Sequence, residues 1–150
     1  MLLTRRILLK TGLAFATLIA APRLLLAAAW PEQAFKSMVA TDAMSGLFGT
    51  DQTTPSDKIS LGVPTIAENG AVVPVDVSTT LDNVESISIV VPGNPRPLAA
   101  SFELTGSVIP EISGRIKMGQ TSDVIAVVKT DTGLFSTAKE VKVTIGGCGG

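Results

Sequence analysis

Two periodicities divide the chain. Between Pro31 and about Leu47 apolar residues recur at helical spacing, with Phe35, Met38 and Val39 at i, i+3 and i+4 and Leu47 and Phe48 extending the same side. Pro31 suits a first helical turn and Gly46 or Gly49 an end, so residues 30–49 are expected to form an N-terminal helix whose apolar stripe packs on its own domain. Residues 50–58 are polar, carry Pro55 and read as a connecting loop. Beyond them the period falls to two. Val73, Val75 and Val77 share one face of a strand, and Ile87, Ile89 and Val91 one face of the next. Ile112, Gly114, Ile116 and Met118 alternate with Glu111, Ser113, Arg115 and Lys117 as a half-buried strand, and residues 123–129 form a more apolar one. In the last strand Val141, Val143 and Ile145 point one way while Glu140, Lys142 and Thr144 point the other.

The punctuation between these runs is equally legible. Glu68-Asn69-Gly70 predicts a hairpin, because Asn-Gly tolerates the positive φ that a two-residue turn demands, and Asp131-Thr132-Gly133 predicts another. Residues 92–97, with three prolines, mark a wide turn, and Pro74 inside a strand pattern argues for an edge position or a bulge. About seven or eight short strands at this spacing predict an all-β fold, an immunoglobulin-like antiparallel β-sandwich over residues 50–145, with a small barrel as the alternative. The mature length suffices for one domain with its own core.

The N-terminus changes the compartment. Thr4-Arg5-Arg6-Ile7-Leu8-Leu9-Lys10 precedes an apolar stretch from Gly12 to Ala21, and Ala27-Ala28-Ala29 offers a small-residue cleavage site, so residues 1–29 read as a twin-arginine export signal carried by Arg5 and Arg6. Pro22 and Arg23 interrupt the apolar run well short of the roughly 20 residues a spanning helix needs. The expected product is a periplasmic protein without stable membrane insertion. Cleavage near Ala29 removes four of the twelve basic residues and none of the thirteen acidic ones, which leaves a net charge of −5 over 121 residues. With its basic side chains scattered, no tyrosine and few aromatic rings, the mature chain lacks the footprint of a nucleic-acid binder.

The chemistry converges on one residue. Cys148, the single cysteine, lies in Gly146-Gly147-Cys148-Gly149-Gly150 directly after the last strand. Four neighbours without a Cβ cannot bury or fix its thiol, so residues 146–150 read as a flexible swinging arm on a rigid strand, able to stand roughly 10 Å beyond Ile145 and enter a narrow cleft. A solvated thiol is mostly protonated at neutral pH and is a poor nucleophile alone. The chain contains no histidine to serve as its base. The same lack removes a Ser-His-Asp triad, a Cys-His pair and a typical zinc site, and no glycine pattern forms a phosphate loop. Asp76, Asp82, Glu85 and Glu103 are spread over different strands. The pattern therefore assigns no catalytic residue, no metal and no cofactor, and describes a carrier whose thiol is activated by partners.

Three stretches carry a family resemblance: Thr4–Lys10, the turn at Ile66-Ala67-Glu68-Asn69-Gly70 leading into Val72–Val77, and Val141–Ile145 followed by the glycine-flanked cysteine. In these the chain resembles the SoxY family, the cysteine-bearing subunit of a carrier complex in bacterial sulfur oxidation. The resemblance implies that Cys148 is the covalent attachment site for sulfur intermediates during thiosulfate oxidation. It further implies a heterodimer with a SoxZ subunit exported alongside this chain. The c-type cytochrome SoxAX, the dimanganese hydrolase SoxB and the sulfane dehydrogenase SoxCD would be transient partners, with the carrier as covalent substrate rather than enzyme.

Two readings of other classes compete. A terminal Gly149-Gly150 could be converted to a thiocarboxylate, but adenylation needs cytoplasmic ATP, which the export signal argues against. Alternatively the sandwich is a structural or adhesion module whose Cys148 forms an intermolecular disulfide.

Overall fold

A computed structural model describes residues 30–106 and 108–144. The first surprise of the chain is that its helical segment breaks in two. Helix α1 spans Glu32–Lys36 and helix α2 spans Ala40–Phe48. At the break the Ser37 N–H closes the last turn on the Gln33 carbonyl (3.1 Å) while Ser37 itself turns extended, and its Oγ donates to that same carbonyl. A serine that bonds back onto the preceding turn competes with helix continuation. Met38 and Val39, read from spacing as part of the buried stripe, are consequently exposed, Met38 by 78 %. Ala34, Ala43 and Met44 are buried, and Phe35, Leu47 and Phe48 of the expected stripe pack partly buried beside them. Gly46 faces the backbone of Ala34, which lets the helices approach closely, and α2 stops at Gly49, whose φ of +78° suits glycine.

Among the described residues nine strands follow: β1 (Thr54–Pro55), β2 (Ile59–Gly62), β3 (Ile66–Ala67), β4 (Val73–Thr79), β5 (Val84–Val90), β6 (Leu98–Glu103), β7 (Glu111–Ile116), β8 (Ser122–Thr130) and β9 (Gly133–Val143). They form an immunoglobulin-like β-sandwich. The larger sheet runs β1-β9-β8-β5-β6, with β3 also paired to β9; the smaller runs β2-β4-β7. The chain crosses between sheets at each of its first connections, and the loop expected at residues 50–58 contains β1. Both β1 and β3 join β9 in parallel, the exceptions in an otherwise antiparallel fold.

The period-two residues meet between the sheets. Ile59 and Leu61, Val73, Val75 and Val77, Ile87, Ile89 and Val91, Val124, Ala126 and Val128, and Val141 form one buried core, closed by Ile116 and Met118. Each such side chain contributes about 1.5–3 kcal/mol by leaving water, so this layer dominates stability. A second, smaller core lies on the opposite face of the larger sheet, where the helices cover Val90, Leu98 and Val127. Strand β5 is thereby buried on both faces, and its outward hydroxyl at Ser88 pairs with Ser101 at 2.8 Å. Buried hydroxyls keep their place only when so paired.

Asp131-Thr132 connects β8 to β9 as expected, with Gly133 at φ +147°. The other predicted hairpin is not one. Asn69 and Gly70 join β3 in one sheet to β4 in the other, and neither has positive φ. Instead the Asn69 Oδ1 accepts the Ala71 N–H (2.9 Å) and the Asn69 carbonyl accepts the Val72 N–H (3.2 Å), a turn that hands the chain across the sandwich. Pro74 lies beyond Asp76, the last β4 residue that β2 reaches, so that side of β4 is locally an edge and needs no N–H there.

Candidate functional site

Cys148 and its neighbours Gly146, Gly147, Gly149 and Gly150 lie outside the described residues, as do Ile145 and the export-signal residues Arg5 and Arg6. What the structure does describe is the root from which the cysteine segment departs. That root is the second half of β9, and it is tied on both sides. Along one side β8 pairs with it from Gly133 to Val141. On the other, Thr54-Pro55 of β1 lie beside Phe135-Ser136, and Ile66-Ala67 of β3 lie beside Lys142-Val143.

The last described residues are held one by one. The Lys142 N–H donates to the Thr65 carbonyl (3.0 Å), the Val143 N–H to the Thr121 hydroxyl (3.0 Å) and the Thr144 N–H to the Ala67 carbonyl (3.1 Å). Below them Val141 is fully buried and Val143 packs on the main core. Farther back, the Lys139 ammonium reaches across the sandwich to the Leu61 carbonyl at 2.6 Å. Every backbone donor from Lys142 to Thr144 thus has a partner, and the chain is fixed to within four residues of Cys148.

Gly70 explains how β3 comes so close. A Cβ there would stand 2.3 Å from the Met118 carbonyl oxygen and 2.9 Å from Cγ1 of Val143, while the Gly70 carbonyl accepts the Met118 N–H at 2.7 Å. Only glycine lets the β7–β8 loop, the β3–β4 turn and the end of β9 share this space. Two of the sequence stretches singled out above, Ile66–Gly70 and Val141–Thr144, are therefore neighbours in space. A shallow depression of about 390 Å³ opens beside them, lined by Pro64, Ile66, Val72 and Pro74 with Glu68 and Asn69 at its polar side.

Sequence reasoning identified β9 as the launching strand but did not anticipate β3 or Thr121 as its anchors. The available signal was the short apolar run Ile66-Ala67 ahead of a turn with too few residues to form an independent strand. The four carboxylates considered earlier are not brought together. Glu85 pairs with Lys129 across β5 and β8 at 2.7 Å, and Asp76 accepts the Ser113 hydroxyl. The hydrogen bond to Glu85 holds the Lys129 ammonium above its ordinary pKa of 10.5 against the opposing effect of burial. Among the described residues no three carboxylate, histidine or cysteine side chains stand close enough to hold a metal ion.

Comparison with known proteins gives this arrangement a context. A family profile described as sulfur oxidation protein SoxY matches residues 44–148. The solved structure of the sulfur carrier protein SoxY from Chlorobium limicola f. thiosulfatophilum shares 40 % sequence identity, covering 69 % of this chain and 94 % of that one, with a TM-score of 0.63. A superoxide reductase (neelaredoxin) from Ignicoccus hospitalis aligns over 65 % of this chain and 98 % of its own at a TM-score of 0.55; at 16 % identity that likeness is one of fold alone. No curated protein sequence matches significantly.

Proposed function

This chain belongs to the SoxY family of sulfur oxidation proteins, and we propose that it is a periplasmic carrier that holds sulfur intermediates covalently on Cys148 and presents them to partner enzymes. The observation that carries the reading is the double-sided anchoring of β9 up to Thr144, four residues short of the only cysteine, within a family match that extends to residue 148. A fixed root and a glycine-flanked thiol together let one sulfur atom travel a short, defined distance, about 13–14 Å from Thr144 when extended.

On this reading residues 1–29 are a twin-arginine signal removed near Ala29, residues 30–49 cover the outer sheet face, residues 50–145 form the sandwich and residues 146–150 are the arm. Among the described residues no helix is long and apolar enough to cross a membrane. In the first step a cytochrome of the SoxAX kind joins thiosulfate to Cys148. The thiol loses its proton, a sulfur–sulfur bond forms, and two electrons leave, one at a time, to the cytochrome partner as oxidant, giving a cysteine S-thiosulfonate. Hydrolysis by a SoxB-like partner adds one water, releases sulfate and leaves a persulfide, whose outer sulfur a SoxCD-like dehydrogenase then oxidises. The stable companion is a SoxZ-like subunit. The carrier supplies position and an unhindered sulfur; the partners supply catalysis.

A Cys148→Ser variant tests this directly. It is expected to fold and to pair with its companion normally while abolishing thiosulfate oxidation in the reconstituted system. Unchanged oxidation would eliminate carriage on this residue.

A further inference from the structure

The two sheets differ in width, and one side of the sandwich is left open. Strand β6 ends the larger sheet and β7 ends the smaller, and among the described residues neither has a neighbour beyond it. Phe102 sits opposite Ile87 in the β5–β6 register and so faces inward, yet it is 41 % exposed because the three-stranded sheet does not extend over it. The β6–β7 connection adds Val108 and Ile109, exposed by 55 % and 79 %. Unpaired edge groups beside uncovered apolar surface form a template for one more strand.

The other end of this same side is basic. Arg96, Arg115 and Lys117 border a groove of about 330 Å³ floored by Leu98, Ala100 and Ile116. Lys36 and Lys129 each have a carboxylate partner, Glu32 and Glu85, whereas these three cations have none among the described residues. Three clustered cations are unexpected in a chain whose mature part is acidic overall. Their base is also rigid. The Asn94 side chain donates to the Lys117 carbonyl (2.7 Å) and accepts the Gly119 N–H (3.1 Å), and the Gln120 side chain donates to the Gly93 carbonyl. Along β7, Ile112 and Ile116 face inward while Glu111, Ser113 and Arg115 face outward, with Lys117 just past the strand, so the outward face is acidic where β7 begins and basic at its end, where the groove lies.

We infer that this open side docks an acidic, extended segment of a partner chain, which adds as a strand to the edge of β7. Its inward side chains would cover Phe102, and its outward carboxylates would meet Arg115 and Lys117, with Arg96 closing the groove. Alternation in the docked strand matches the two surfaces it meets, apolar on one face and basic on the other. The arginine forks favour carboxylates over other partners, and the charges make encounter dependent on salt. The inference goes beyond sulfur carriage and does not use Cys148, so it stands or falls separately from the carrier reading.

The test uses the protein with Cys148 intact and three probes: a seven-residue peptide alternating valine and glutamate, its valine–lysine counterpart, and inorganic sulfate. The acidic peptide is expected to slow hydrogen exchange of β7 edge amides at least about tenfold and to bind at least about tenfold more tightly than the lysine peptide. That preference should disappear in an Arg115→Glu, Lys117→Glu double variant and fade with added salt. Equal binding of both peptides overturns the inference. So does binding of both sulfate and the acidic peptide, lost in the double variant, without any slowing of exchange at β7, which would mark a simple anion site. Self-association of the protein through β7 that excludes the peptide would assign the edge to a second copy instead, and would likewise overturn it.

Discussion

The two sides of the sandwich treat their strand edges in opposite ways. On one side β9 is held near its start by β1 at Phe135-Ser136 and at its end by β3 at Lys142-Val143, its last described donors are all satisfied, and the Lys139 side chain ties the sheets together. On the other, among the described residues, β6 and β7 have no further strand, Phe102 is partly uncovered, and Arg96, Arg115 and Lys117 are exposed without carboxylate partners. Covering an edge fixes it, whereas leaving it open and charged keeps it available. The closed side carries the root of the cysteine segment, where, on the proposed reading, positional certainty would serve group transfer. The open side has the features of a surface that selects a partner. One small domain can thus separate the part that must not move from the part that must be met.

Substitutions sort the two sides by magnitude. The largest effect is expected from Val141→Asp, which buries an unpaired carboxylate beneath the arm's root; it should cost more than about 4 kcal/mol or prevent folding, as read from urea denaturation. Gly70→Val forces a side chain into the Met118 carbonyl and Val143, and should cost about 1–3 kcal/mol by the same measurement. Replacing Thr121 by Val removes the hydroxyl that accepts the Val143 N–H. About 1 kcal/mol is expected, with faster hydrogen exchange at Val143 as the local signature.

On the open side Arg115→Glu should change stability by less than about 0.5 kcal/mol, because its side chain is exposed and unpaired; a larger loss would mean that the edge is structural. Smallest of all is Lys129→Met. The folded pKa of Lys129 is raised, so its contribution is fully present below 10.5 and is lost as pH rises through the folded value. At 45 % exposure solvent screening leaves less than about 0.5 kcal/mol, and the difference from wild type should shrink only in strongly alkaline solution.

How much of this could be read from the residues follows from which forces act locally. The inward faces of β4, β5 and β7 were legible because each writes itself as alternation, whereas β8 read only as a more apolar strand. The second core was not, since Val90 and Val127 fall on the polar phase of their strands and acquire their meaning only when a helix pair lands on them. The helix break was hidden for the same reason: spacing placed Met38 and Val39 on the stripe with Phe35, Leu47 and Phe48, of which the last three pack, while Ser37 bonded back onto its own turn and left Met38 and Val39 exposed. Asn69-Gly70 was recognised as a turn, but the need for glycine comes from the Met118 carbonyl and Val143, which are distant in sequence. Cys148 was identified by composition and flanking residues. The residues that hold the strand end before it, Thr65, Ala67 and Thr121, come from long-range pairing that no local pattern encodes.

Intact-mass spectrometry of the protein isolated from cells oxidising thiosulfate tests sulfur carriage most directly. Wild-type protein should carry added masses matching sulfur and thiosulfate, released by a reducing agent and absent from the Cys148→Ser variant. An unmodified wild-type mass under active oxidation, or an adduct that persists in the variant, would contradict carriage on Cys148.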